Sequence, residues 1–167
     1  SELQTIEKEA FAWTPIESLY FPANLNEFGE ECFCSTTNLE KVNISPQNKN
    51  LTYLDFERMI VIGKSDPSKS AFDVLIFVSR SYIQMIIPNT IRIINTSAFS
   101  GCEYLEYVFF EKESNLISIE EGAFSHSTLL GIKIPSSVIS IKKNAFARCE
   151  SMQIVYFDEG SQLKFIG

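Results

Sequence analysis

One histidine, four cysteines and a few adjacent carboxylates are the residues of this 167-residue chain whose types could do chemistry. A Ser-His-Asp or Cys-His mechanism would have to run through His126, because such a nucleophile needs an imidazole beside it to take its proton. Cys32, Cys34, Cys102 and Cys149 could form disulfides or ligate a metal. Cys32 and Cys34 are only two residues apart, however, which is half a zinc site at best. The pairs Glu30/Glu31 and Glu120/Glu121 lie beside apolar residues, and solvated surface carboxylates are expected there rather than an acid–base dyad. No glycine-rich phosphate loop, His-Glu-x-x-His motif or calcium loop occurs. The expectation is a protein that is not an enzyme and has no catalytic residue, metal site or cofactor.

What positions these residues is a repeat, Leu-x-x-Ile-x-x-x-Ala-Phe. It stands at Leu3/Ile6/Ala10/Phe11, Leu25/Phe28/Cys32/Phe33, Ile91/Ile94/Ala98/Phe99, Leu116/Ile119/Ala123/Phe124 and Val138/Ile141/Ala145/Phe146, and begins again at Leu163/Ile166. The Phe-to-Phe steps are 22, 66, 25 and 22 residues, so one register persists along the chain. After each Phe comes a segment ending in apolar residues two apart, as in Leu39/Val42/Ile44 or Leu129/Ile132/Ile134, the mark of one strand face. Pro22, Pro46, Pro88 and Pro135 close four such segments. The polar stretch before each Phe, as in Glu7-Lys8-Glu9, predicts one or two short helical turns. A unit this small cannot bury its own apolar edge, whereas stacked copies share a core, so the pattern predicts a solenoid with Phe11, Phe33, Phe99, Phe124 and Phe146 as its buried spine.

The register also places the reactive residues. His126 follows its Phe by two, in the slot held elsewhere by Trp13, Ser35, Gly101 and Arg148, which reads as a variable turn position. Cys102 and Cys149 share the next slot with Thr14, Thr36 and Ser127, and Cys32 stands in the Ala column. Small, weakly polar residues that interchange in this way suit a tight corner where a hydroxyl or thiol meets backbone. One repeat separates Cys102 from Cys149, about 10 Å at roughly 4.8 Å per strand, beyond the reach of a disulfide.

The phrases Ile87-Pro88-Asn89-Thr90-Ile91 to Ala98-Phe99-Ser100-Gly101-Cys102, and Ile134-Pro135-Ser136-Ser137-Val138 to Ala145-Phe146-Ala147-Arg148-Cys149, resemble the BspA-like, or treponemal-class, leucine-rich repeats. The resemblance covers most of the chain outside residues 47–82. It implies a curved parallel sheet on one face and short helical turns on the other, and a cell-surface or secreted protein that binds host or matrix proteins. An intracellular scaffold built of neighbouring subunits, cytoplasmic or cytoskeletal, is the competing expectation.

Three divisions follow: repeats one and two over 1–46, an insertion over 47–82, and repeats continuing over 83–167 with the last truncated. In the insertion, Met59–Ile62 and Phe72–Val78 flank a turn through Gly63-Lys64-Ser65-Asp66-Pro67-Ser68 and predict a β-hairpin island. Two degenerate repeats are the alternative, since Phe56 and Phe77 fall near the register.

If Val42, Ile44 and their equivalents point inward, alternation turns an outer row toward solvent. That row reads Tyr20, Asn43, Ile86, Phe109, Lys133 and Tyr156, and Tyr107 leads a flanking row with Ser18, Lys41, Gln84, Gly131 and Ile154. Exposed aromatic and apolar clusters mark interaction sites, so Tyr20, Asn43, Ile86, Tyr107, Phe109, Lys133 and Tyr156 are the candidate partner-binding residues. The formal charge of −7, from 21 acidic and 14 basic residues, with no basic stripe to follow a phosphate backbone, argues against nucleic acid. No apolar run approaches the roughly 20 residues of a membrane helix, so no membrane insertion is expected. Sequons at Asn43, Asn50 and Asn95 favour secretion only weakly.

Overall fold

The computed structural model describes residues 1–57 and 59–167. Chain order is β1 (Thr5–Ile6), β2 (Ser18–Phe21), β3 (Glu27–Phe28), β4 (Lys41–Ile44), β5 (Leu51–Tyr53), β6 (Ile60–Gly63), β7 (Val74–Val78), β8 (Gln84–Ile87), β9 (Ile93–Ile94), β10 (Tyr107–Phe110), β11 (Ser118–Ile119), β12 (Gly131–Ile134), β13 (Ser140–Ile141), β14 (Ile154–Phe157) and β15 (Phe165–Ile166). They wind into a β-solenoid of about seven turns. Six of the four-residue strands form one parallel row, β2-β4 and then β8-β10-β12-β14. Their pairing follows the sequence alignment: Leu19 opposes Val42, and Val108 opposes both Met85 and Ile132. A second row, not anticipated from the sequence, consists of the two-residue strands that carry the Ile of each repeat, paired as β1-β3 and β9-β11-β13-β15.

The predicted helical turns are a correction: among the described residues there is no helix. Every repeat has two left-handed residues, one two before its Phe and one two after. They are Glu9/Trp13, Glu31/Ser35, Ser97/Gly101, Gly122/His126 and Asn144/Arg148, with φ between 51° and 73°. Left-handed residues four apart cannot continue a right-handed helix. The hydrogen bonds agree. Alternate amides close tight turns within the repeat, as Ala123 to Glu120, Ser125 to Gly122 and Ser127 to Phe124. The intervening amides of Gly122, Phe124 and His126 donate to the next repeat, at Lys143, Ala145 and Ala147. A helix would keep all of them to itself.

The spine is buried where it has neighbours on both sides. Phe33, Phe99 and Phe124 are fully buried, and Phe99, Phe124 and Phe146 stack at centroid distances of 4.6 and 5.2 Å. Phe11 and Phe146 are only half-buried, against expectation, because the outermost turns are covered from one side.

Strands β5, β6 and β7 form an antiparallel meander, with Val61 opposite Phe77 and Gly63 opposite Val74. It does not project from the solenoid. β7 pairs in parallel with β9, Val74 to Ile93 and Leu75 to Ile94, so the meander completes a seven-stranded mixed sheet. All residues of β6 and β7 are buried. Val61, Val74, Ile76 and Phe77 pack on the core around Phe21 and Phe33, and Ile60, Ile62, Leu75 and Val78 pack on the core around Phe99. The meander is a wall between two cores, and its uninterrupted apolar runs are what strands covered on both faces require.

At the outer turns the two blocks still touch. Cβ built on Gly101 would lie 3.0 Å from Ser35 Cα, and the amides of Glu31 and Ser35 donate to the hydroxyls of Thr96 and Ser100. Ala98 carbonyl, the expected acceptor for Phe33, takes the Val78 amide instead. Arg80 is buried at this junction, and among the described residues no carboxylate pairs with it. Its guanidinium lies over Phe77, 5.0 Å from the ring centroid. It donates to the carbonyls of Val78 and Ala98 at 3.0 Å, and to Thr36 Oγ1 at 3.4 Å.

Candidate partner-binding face

The outer residues of β8, β10, β12 and β14 share one continuous sheet surface. Tyr107 aligns with Gln84 and Gly131, and Gly131 with Ile154. Beside that line run Ile86, Phe109, Lys133 and Tyr156, again in register. Ile86, Phe109, Ile154 and Tyr156 are 44–63% exposed, although apolar groups of this size favour burial. Tyr107 and Phe109 stack on each other, centroids 6.0 Å apart. Of the seven residues singled out in the sequence, five meet on this sheet. Tyr20 and Asn43 stand opposite each other on the separate pair β2-β4, exposed but across the break in the strand row.

A cleft of about 660 Å³ opens on the sheet between β10 and β14, lined by Tyr107, Phe109, Gly131, Lys133, Ile154 and Tyr156 and walled by Glu111, Glu113 and Asp158. Its floor is Gly131: a Cβ there would come within 2.8 Å of Ile154 Cγ2. The missing side chain lets Ile154 lean in and leaves a hollow between two aromatics. Gly131 and Ile154 were named only in the flanking row, and a glycine inside a strand pattern is the signal that marks such a close approach. Lys133, exposed, forms an ion pair with the partly exposed Asp158 at the edge of the cleft, and a pair so open to solvent adds little stability.

The residues with chemical potential lie elsewhere. His126 occupies a left-handed turn position, its ring edge-on to Trp13 at 4.8 Å. Partial burial, then the Arg148 charge, holds its pKa below 6.5. Among the described residues no hydroxyl or thiol is hydrogen-bonded to its imidazole. The Phe-plus-three column is the corner the sequence implied: Thr14 and Thr36 donate to the carbonyls of Phe11 and Phe33 at 2.6 and 2.9 Å, and Cys149 to that of Phe124 at 3.1 Å. All four cysteines carry free thiols. Among the described residues no group of three His, Cys, Asp or Glu side chains could hold a metal ion, and no helix is long and apolar enough to cross a membrane.

Comparison with known proteins follows the architecture. A leucine-rich repeat protein from Eubacterium ventriosum superposes with a TM-score of 0.80 at 20% identity, over 98% of this chain and 41% of that one. A leucine rich cell surface protein from Faecalibacterium prausnitzii gives 0.52 at 20% identity, over 93% of this chain and 52% of that one. The pneumococcal vaccine antigen PcpA gives 0.51 at 18%, over 95% of this chain and 37% of that one. At these identities the likeness is one of fold, and the chain spans about half or less of each structure. No curated protein matches it. The pattern of the BspA type leucine rich repeat region matches in six copies, over residues 1–65 and 72–167. The two strand rows, the phenylalanine spine and this match together establish that the chain belongs to the BspA-type leucine-rich-repeat family.

Proposed function

We propose that this chain is a non-catalytic protein-binding module of a cell-surface protein, and that it grips a host or matrix protein on the strand face around Gly131. The observation that carries the reading is the cleft itself: aromatic and aliphatic side chains, held out of the core by strand register, surround a hollow large enough for a partner side chain. Such anchors in a pocket dominate protein interfaces, and solenoids bind on the surface their strands make. Location at the cell surface is supported by one structural neighbour's description as a leucine rich cell surface protein. The division into repeats over 1–46 and 83–167 around an insertion at 47–82 is part of the same proposal.

The test is a panel of purified extracellular-matrix and host-surface proteins. It compares the wild type with a variant carrying Tyr107→Ala, Phe109→Ala and Tyr156→Ala. Loss of about 2–4 kcal/mol of binding, with circular dichroism and melting unchanged, is the expected outcome. Equal capture by the two proteins would remove the site from this face. Antibody labelling of intact, unpermeabilised cells tests the location separately.

A further inference from the structure

The strand row breaks between β4 and β8, and its two inner edges differ. On β4 the amides of Lys41 and Ser45 donate to Glu17 and Phe21, so the Val42 carbonyl and Ile44 amide point away from β2, into the break. Tyr53 satisfies both: its hydroxyl donates to Val42 O at 2.9 Å and accepts from Ile44 N–H at 2.8 Å. Along β8 the carbonyls of Ile87, and of Ile83 just before the strand, accept from Glu111 and Glu106, which flank β10. Alternation therefore turns the N–H and C=O of Gln84 and Ile86 into the break. Among the described residues nothing hydrogen-bonds them.

An unpaired edge is a template for another chain, and proteins blunt such edges with lysine, proline or a covering loop. β8 itself contains neither lysine nor proline. Ile86 and the preceding Ile83 are 63% and 59% exposed, and Glu106, whose amide donates to the Ile83 carbonyl, is exposed beside them.

We propose that the free edge of β8 docks an extended segment of a partner polypeptide, which adds as a strand on Gln84 and Ile86. Only a peptide backbone matches donors and acceptors at strand spacing. The exposed Glu106 beside Ile83, on a chain of net charge −7, selects a segment with Lys or Arg next to its apolar residues. This site does not depend on the aromatic cleft.

The probe is the capped peptide Lys-Thr-Val-Thr-Val-Lys, added to the whole chain at about millimolar concentration while amide hydrogen exchange is read residue by residue. Exchange at Gln84 and Ile86 should slow about tenfold. Ile86→Pro removes an amide that no internal acceptor uses and should weaken binding about tenfold. The same peptide with alternate amides N-methylated should bind as poorly to the unaltered protein, which keeps the result readable if the proline variant does not fold. The Tyr107/Phe109/Tyr156 alanine variant should bind the peptide normally, so failure of the cleft and failure of the edge are distinguishable. Unchanged exchange at Gln84 and Ile86, or equal binding of the N-methylated peptide, overturns the proposal. Concentration-dependent protection without peptide would overturn it in favour of a second copy of the chain.

Discussion

A thiol or phenol inside a protein binds its proton more tightly than in water, since burial penalises the charged form. Burial pushes Cys32 up to about 12, and burial followed by the Asp55 carboxylate does the same to Tyr82. Because both folded values exceed the unfolded ones, their contribution to stability is complete below the ordinary thiol value of 9.0. It is lost as pH climbs toward 12. Melting temperature should therefore hold level to about pH 9 and fall beyond it, and a combined Cys32→Ala, Tyr82→Phe variant should fall less steeply. A wild-type profile that stays level to pH 12 would contradict this placement. Burial raises Cys102 and Cys149 as it does Cys32, which disfavours the nucleophilic thiolate at these three positions.

At the scale of elements, the outer turns work because alternate amides stay within a repeat and the others leave it. Each repeat places residues with φ near 55° in two positions, most of them without the freedom of glycine. A left-handed non-glycine residue costs about 1–2 kcal/mol, more than the roughly 0.5–1 kcal/mol that glycine forfeits to unfolded-state entropy. Glu9→Gly, at an exposed position with φ 55°, is thus expected to raise stability by about 0.5–1 kcal/mol in urea denaturation. Gly101→Ala is the converse, with φ 73° and backbone 3.0 Å from its new Cβ. It should cost about 2 kcal/mol or more, and a loss below about 0.5 kcal/mol would show that the turns yield.

Across the whole molecule, the buried meander decides how the two cores communicate. Phe77 meets Phe33 edge-on at 6.3 Å and carries the Arg80 guanidinium on its face, while its neighbours Leu75 and Val78 line the other core. Phe77→Ala should cost about 3–5 kcal/mol, as a buried Phe does. Amide exchange should accelerate around both Phe21 and Phe99. Phe99→Ala should cost a similar amount but accelerate exchange chiefly on its own side of the wall. Equal and global acceleration by both variants would mean that the solenoid unfolds as one unit and the wall has no separate role.

How much of this was legible in the sequence depends on the range of the forces involved. The positions of the longer strands of the first row, their register and the spine at Phe33, Phe99 and Phe124 followed from apolar spacing, because burial along a stack repeats with the sequence; the second row did not. The outward and flanking rows followed from alternation, but only the tertiary structure placed five of the seven candidate residues on one sheet and separated Tyr20 and Asn43 from them. The turn conformation was misread as helical because polar residues before the Phe are compatible with helices and with left-handed turns. What distinguishes the two is the hydrogen bond to the next repeat, which no single repeat contains. Arg80 and the break at β8 carried no local signal at all. A long-range packing decision, the meander entering between two turns that touch only at their outer edge, buried that charge and left that edge unpaired.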